Sequence, residues 1–217
     1  MAIIVINPNS NQTVTDNMAA ALKPLQTAGG PDIQCETLKQ GPFGIESQKD
    51  VDAVVLPLRE FVSSRQDADA FIIACYSDPG LEICRKATSK PVFGIQESGI
   101  LTAMSYGGQF GVIALSDTAV KRHLKYIRQM GVIERLAKEC TLEMTVEQSA
   151  QGADTFDRLC EAGEFLRDKE GADTIILGCA GMAKHRIALE EKLAIPVIDP
   201  VQAATSMAIG AVLAGKN

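Results

Sequence analysis

The sequence predicts an α/β protein of two similar lobes, each a parallel sheet with helices on both faces, related by a pseudo-two-fold axis. Three observations carry this reading. Short apolar runs alternate with stretches of helical periodicity along the chain, most of these runs end in a polar or glycine-bearing turn, and the order of these features occurs twice.

The first run, 3–6, is β-branched and apolar, and it stops at Asn7-Pro8-Asn9-Ser10-Asn11. Such a run suits a strand buried on both faces. From Thr13 the apolar residues Val14, Met18, Ala21, Leu22 and Leu25 fall on one helical face, with Ser10, Asn11 or Thr13 as the cap. A strand over 33–38 leads into the loop Gly41-Pro42-Phe43-Gly44, and a helix follows over 48–63. The strand 71–74 stops at Cys75-Tyr76-Ser77-Asp78-Pro79-Gly80; a helix to about residue 87 and a strand over 91–95 complete the first half.

The second half has the same grammar. A strand over 110–115 ends in Ser116-Asp117-Thr118, before a helix over 119–129. A strand over 141–146 and a helix over 152–169 are expected next, then a strand over 174–177 ending at Gly178-Cys179-Ala180-Gly181-Met182. After one more helix, Ile195-Pro196-Val197-Ile198 mirrors Lys90-Pro91-Val92-Phe93. Cys75 precedes Pro91 by 16 residues and Cys179 precedes Pro196 by 17. The first lobe is therefore expected over 1–98, with a helix over 200–214 packing back on it, and the second over 99–217.

Composition bounds the function. The 217 residues are 46% hydrophobic, enough for a substantial core. The net charge is −6 and no run of lysine and arginine exceeds two residues, which argues against nucleic acid as a partner. No apolar stretch reaches the roughly 18–20 residues of a membrane span, and the N-terminus does not resemble a signal peptide, so the expected location is cytoplasmic. Neither GxGxxG nor a P-loop follows an expected strand. The six cysteines are scattered without a CxxC pair, and the two histidines are too far apart for a zinc site, so no metal is expected.

Cys75 and Cys179 stand apart from the other four. Each sits where an apolar strand ends and a glycine-bearing loop enters a helix, the ligand-binding edge of an open α/β sheet. A pseudo-dyad brings those two loops face to face, and a helix N-terminus favours a thiolate. Cysteine is otherwise a packing residue, and Cys35, Cys84, Cys140 and Cys160 are read so. His123, in Lys121-Arg122-His123, is expected on a solvated helix face, and His185 lies too far beyond Cys179 for direct proton transfer.

The motifs Ile6-Asn7-Pro8-Asn9-Ser10, Gly41-Pro42 with Ile45-Glu46-Ser47, Ala74-Cys75 with Asp78-Pro79-Gly80, and Gly178-Cys179-Ala180-Gly181-Met182 span nearly the whole chain. On these motifs the sequence resembles the aspartate/glutamate/hydantoin racemase superfamily, most of all its hydantoin and allantoin racemases. The resemblance implies two Rossmann-like lobes with the site between them. It implies cofactor-independent racemisation of a 5-substituted hydantoin or allantoin, with Cys75 and Cys179 as acid and base. Relatives that decarboxylate malonates keep one of the two cysteines, so the pair favours racemisation. Tyr76-Ser77 departs from the Phe-Asp or Phe-Gly of hydantoin racemases, which leaves the substrate open. Aspartate or glutamate racemisation, and single-cysteine chemistry of the maleate isomerase or malonate decarboxylase kind, are the alternatives.

Expected substrate contacts are Asn7 and Asn9, whose amides both donate and accept, Tyr76 and Ser77, Ser116 and Thr118, Phe43, and the backbone at Ala180 and Gly181. The Asn and Ser segments read equally well as turns and helix caps. The expected partner is a small molecule, with neither nucleic acid nor membrane, in a homo-oligomer.

Overall fold

Residues 1–215 are described by a computed structural model; the last two residues of the expected second lobe lie outside the described residues. The elements are β1 (Ala2–Asn7), α1 (Gln12–Leu22), β2 (Asp32–Thr37), α2 (Gln48–Ser64), β3 (Ala70–Ile73), α3 (Leu81–Ala87), β4 (Val92–Gly94) and α4 (Ile95–Ser105). There follow β5 (Phe110–Ala114), α5 (Asp117–Gln129), β6 (Leu136–Thr141), α6 (Val146–Gln151), α7 (Thr155–Asp168), β7 (Thr174–Leu177), α8 (Arg186–Leu193), β8 (Val197–Ile198) and α9 (Pro200–Ala214). Two four-stranded sheets form, ordered β2-β1-β3-β4 and β6-β5-β7-β8, and every pairing is parallel. The α/β class and the twofold repetition read from the sequence are both present.

The strands follow from burial on two faces. In β1 and β3, Ile4, Ile6, Phe71 and Ile73 pack against Val51, Val54, Leu58 and Val62 of α2 in an outer core. The alternate residues Ile3, Val5 and Ile72 join a second core that runs without a break into Val112, Ile113, Ile175 and Ile176 of the other sheet. Helix starts are set by side-chain caps: Asn11 for α1, Ser47 with Asp50 for α2, and Ser116 for α5.

Helices α4 and α9 pack on each other where the lobes meet. A Cβ on Gly99 of α4 would lie 3.0 Å from the Cβ of Pro200, so glycine sets how closely these helices approach. Helix α4 contacts β4 of the first sheet and β5, β7 and β8 of the second, whereas α9 lies against β1, β3 and β4. The position between residues 98 and 99 falls inside α4.

One stretch differs from the sequence expectation. The strand expected over 141–146 lies at Leu136–Thr141, and Thr145 instead caps α6 through a reciprocal box with Gln148. This edge strand, LAKECT, is only partly buried and carries Lys138 and Glu139, so it lacks the apolar run that marks the inner strands. The helix expected from residue 152 begins at Thr155.

Asp78 fixes the loop after β3. Its backbone is left-handed (φ 43°), and its carboxylate accepts the Gln96 and Glu97 N–H groups, each at 2.9 Å, capping α4 from outside. A Cβ on Gly94 would come within 2.3 Å of that carboxylate. Gly94→Ala should therefore destabilise the protein by about 1–3 kcal/mol, read from the midpoint of urea unfolding. Burial pushes the Asp78 carboxyl up to about 7, and burial pushes Asp199, the cap of α9, up to about 6. A carboxyl that holds its proton more tightly when folded favours folding below the unfolded value of about 4. That contribution is lost as the pH rises through the folded values. Stability should decline less between pH 5 and 7.5 in Asp78→Asn, which mimics the protonated acid, than in the unaltered protein. Equal slopes in the two would remove Asp78 as the cause.

Candidate active site

The two strands that carry the cysteines end in the same way. The Ala74 N–H donates to the Ile6 carbonyl at 2.9 Å, and the Gly178 N–H donates to the Ile113 carbonyl at 2.8 Å, each continuing its ladder by one bond. Gly178 is required there, because a Cβ would sit 2.6 Å from the Ile113 oxygen. Cys75 and Cys179 follow at once and turn into a common cavity of about 310 Å³ between the lobes. All six cysteines are free thiols.

The surroundings of the two thiols differ. Cys179 is the N-cap of a 3-10 turn, Ala180–His185, and its Sγ accepts the Gly181 N–H at 3.4 Å, with Ser149 Oγ at 3.6 Å. Cys75 opens a tight turn in which the Ser77 and Asp78 N–H groups donate to its own carbonyl, at 2.8 and 2.9 Å. Helix α3 begins only at Leu81, after Gly80 in the left-handed region (φ 67°). The expected lowering of the thiol pKa at a helix N-terminus is overturned for both residues. Burial pushes the Cys75 thiol up to about 12, with the negative charges of Cys179 and Asp78 adding to it and the Ser77 N–H and Arg122 opposing. Burial also raises Cys179, against the donors Gly181 and Ser149, while the Glu46 carboxylate raises it further. Desolvation of a thiolate outweighs two hydrogen bonds in this apolar setting.

Of the expected contacts, Asn9, Tyr76, Ser77, Ser116, Thr118 and Ala180 line the cavity with the two cysteines. Three do not. Asn7 is fully buried, and its amide donates to Asn9 Oδ1, the Asn11 carbonyl and Thr15 Oγ1 at 3.0–3.1 Å, which holds the loop before α1. Phe43 is 55% exposed, because its loop turns the ring to solvent. Gly181 stands behind Cys179 as a donor to its sulfur.

The cavity also holds residues that the sequence reading missed. Ile45, Glu46 and Ser47 extend from the first lobe to the second: Glu46 Oε1 accepts the Val146 N–H at 2.9 Å, and its carbonyl accepts from Thr118 Oγ1 at 3.4 Å and Arg122 Nη1 at 3.5 Å. Ala119, Arg122 and His123 line it from α5. Their spacing from Ser116 is that of one helical face, a signal present in the sequence. His123 is 1% exposed and not on a solvated face: Nδ1 lies 2.9 Å from Glu139 Oε2, and the ring meets Tyr76 edge-on at 4.8 Å. Met144 and Val146 complete an apolar wall with Val14 and Leu115. The charged residues lining the cavity are Glu46 and Arg122, and the remaining polar lining is mostly hydroxyl. Among the described residues no group of three His, Cys, Asp or Glu side chains is placed to hold a metal ion.

Raised thiol pKa values set a test. Alkylation of Cys75 and Cys179 by iodoacetamide, followed by peptide mass spectrometry, should be at least about tenfold slower at pH 7.5 than that of a free thiol of pKa about 8.5. It should still be accelerating at pH 9; a plateau below pH 8 would mean that one thiol is activated at rest.

The profile of the Asp/Glu/Hydantoin racemase family matches residues 3–208. A hydantoin racemase from Paenarthrobacter aurescens is 34% identical, over 99% of this chain and 92% of that protein. One from Pseudomonas sp. (strain NS671) is 33% identical, over 100% of this chain and 88% of its own length. The structure of an allantoin racemase from Klebsiella pneumoniae superposes with a TM-score of 0.94 at 26% identity, covering 99% of this chain and 89% of that one. With residues 3–208 of its 217 matched by the family profile, this chain belongs to the Asp/Glu/Hydantoin racemase family.

Proposed function

We propose that the protein is a cofactor-independent racemase of a cyclic ureide, a 5-substituted hydantoin or allantoin, and that Cys75 and Cys179 transfer the proton. The observation that carries this is the pair of free thiols at pseudo-equivalent strand ends, one from each lobe, lining a single cavity. Inversion at C5 needs a base on one face of the ring and an acid on the other. One sulfur, as thiolate, takes the C5 proton; the C–H electron pair moves toward the neighbouring carbonyl as an enolate forms. The other thiol then delivers its proton to the opposite face, and the roles exchange for the other enantiomer. Asn9 and the hydroxyls of Ser47, Ser77, Ser116 and Thr118 suit a ring with two N–H groups and two carbonyls.

A dicarboxylate or free amino acid is the lesser reading. Arg122 is the single lysine or arginine lining the cavity among the described residues, and Glu46 lies in the same lining. Recognition of two carboxylates calls for more fixed positive charge. Single-cysteine chemistry would leave the second thiol without a role. The unpaired thiols also fit a reducing, cytoplasmic setting, and a homo-oligomer is part of the same proposal.

Optical rotation of enantiopure 5-substituted hydantoins, allantoin and aspartate should decay with the ureides and persist with aspartate. Cys75→Ser and Cys179→Ser should each abolish racemisation, by at least about 10³-fold, since every turnover needs both groups. Each should still exchange the C5 hydrogen of one enantiomer with deuterated buffer, followed by NMR, and the two variants should choose opposite enantiomers. Full racemase activity in either variant, or equal exchange of both enantiomers, would refute the two-thiol mechanism. The kcat/KM of the unaltered enzyme should also climb through pH 9 after correction for spontaneous exchange, because both thiols titrate high.

A further inference from the structure

Proton transfer between two thiols leaves one buried group at the cavity unused. His123 and Glu139 are hydrogen-bonded at 2.9 Å with side chains 2% and 1% exposed. The imidazole forms part of the cavity wall, on the helix that also supplies Arg122. Since Nδ1 is engaged by Glu139, the nitrogen left for a ligand is Nε2. Rotation of the ring is limited by Tyr76, whose plane stands at 81° to it.

Burial bears on the charge of the pair. With one proton it holds a net negative charge away from water, beside a Tyr76 hydroxyl and a Glu139 Oε1 that have no hydrogen-bond partner. An uncompensated buried charge is costly, and a second proton cancels it. Burial raises the proton affinity of the Glu139 carboxyl, in the same direction. Whether the shared proton rests on Glu139 or on Nδ1, the two-proton pair carries hydrogen on Nε2. In that form the cavity wall holds an Nε2–H donor before any substrate arrives.

We infer that His123, held by Glu139, donates a hydrogen bond from Nε2 to the carbonyl oxygen that becomes an enolate as the substrate carbon loses its proton. This rests on the racemase reading above. The proton passes to a sulfur, the C–H pair becomes the new C=C bond, and the carbonyl π pair moves onto the oxygen. When the other thiol protonates carbon, both pairs return. His123 keeps its proton throughout. A donor placed where charge develops is worth about 10²–10³ in kcat.

The test uses two substrates of different carbon acidity. A 5-phenyl ring delocalises the carbanion itself and depends less on the donor than a 5-isobutyl group does. His123→Phe keeps a ring but removes the donor. It should lower kcat about 100-fold for 5-isobutylhydantoin and about tenfold for 5-phenylhydantoin, with KM changed less than kcat. His123→Gln restores an N–H and should stay within about tenfold of the unaltered enzyme on both. Equal losses on the two substrates, or equal damage from Phe and Gln, would overturn the inference. Thermal melting of each variant shows whether it is folded, and in a misfolded variant both substrates fall together. If the unaltered enzyme racemises neither hydantoin nor allantoin, the racemase reading fails and takes this one with it. If it does racemise them and His123→Phe keeps its kcat, only this inference fails.

Discussion

The position of Cys75 depends on one buried carboxylate. Asp78 closes the turn after β3 and caps α4 through two backbone N–H groups, so the loop that carries the first thiol is joined to the helix that touches both sheets. Gly94 leaves the space for it, and burial keeps its carboxyl partly protonated near neutral pH. In the second lobe Asp199 caps α9 from within its own chain segment. The two lobes thus share a strand order but secure their helices differently.

That difference extends to the two thiols. The sulfurs occupy matching ends of matching strands, yet one is backed by Gly181 and Ser149 and the other by a turn with Asp78 behind it. In the mechanism proposed above, pseudo-symmetry would supply the two opposed faces that inversion of a stereocentre requires, and the unequal surroundings would distinguish the thiols as acid and base. The apolar part of the wall raises the proton affinity of both thiols.

What could be read from the chain follows from what burial writes into it. Strands covered on both faces are continuous apolar runs, and their ends marked Cys75, Cys179 and the loops around them. Strand β6 at the sheet edge has no such run, so the sequence places it about one strand length too late, and Met144, Val146 and Ser149 go unread as residues around the site. His123 was misread for a related reason. Its neighbours Lys121 and Arg122 suggest solvent, and the partner that buries it, Glu139, lies on that same displaced strand. Asn7 shows the opposite error: an amide beside a binding edge whose hydrogen bonds are spent on its own loop and on α1.

The return of α9 to the first sheet has a consequence for biosynthesis. The strands β1, β3 and β4 leave the ribosome early, but the helix that covers one of their apolar faces begins roughly a hundred residues after the last of them, β4. At the usual elongation rate that interval is about 5–20 s. During it the nascent first lobe presents Ile3, Val5 and Ile72 without their final cover, a surface of the kind that chaperones hold. The lobe translated first can reach its final packing only after the second has been made.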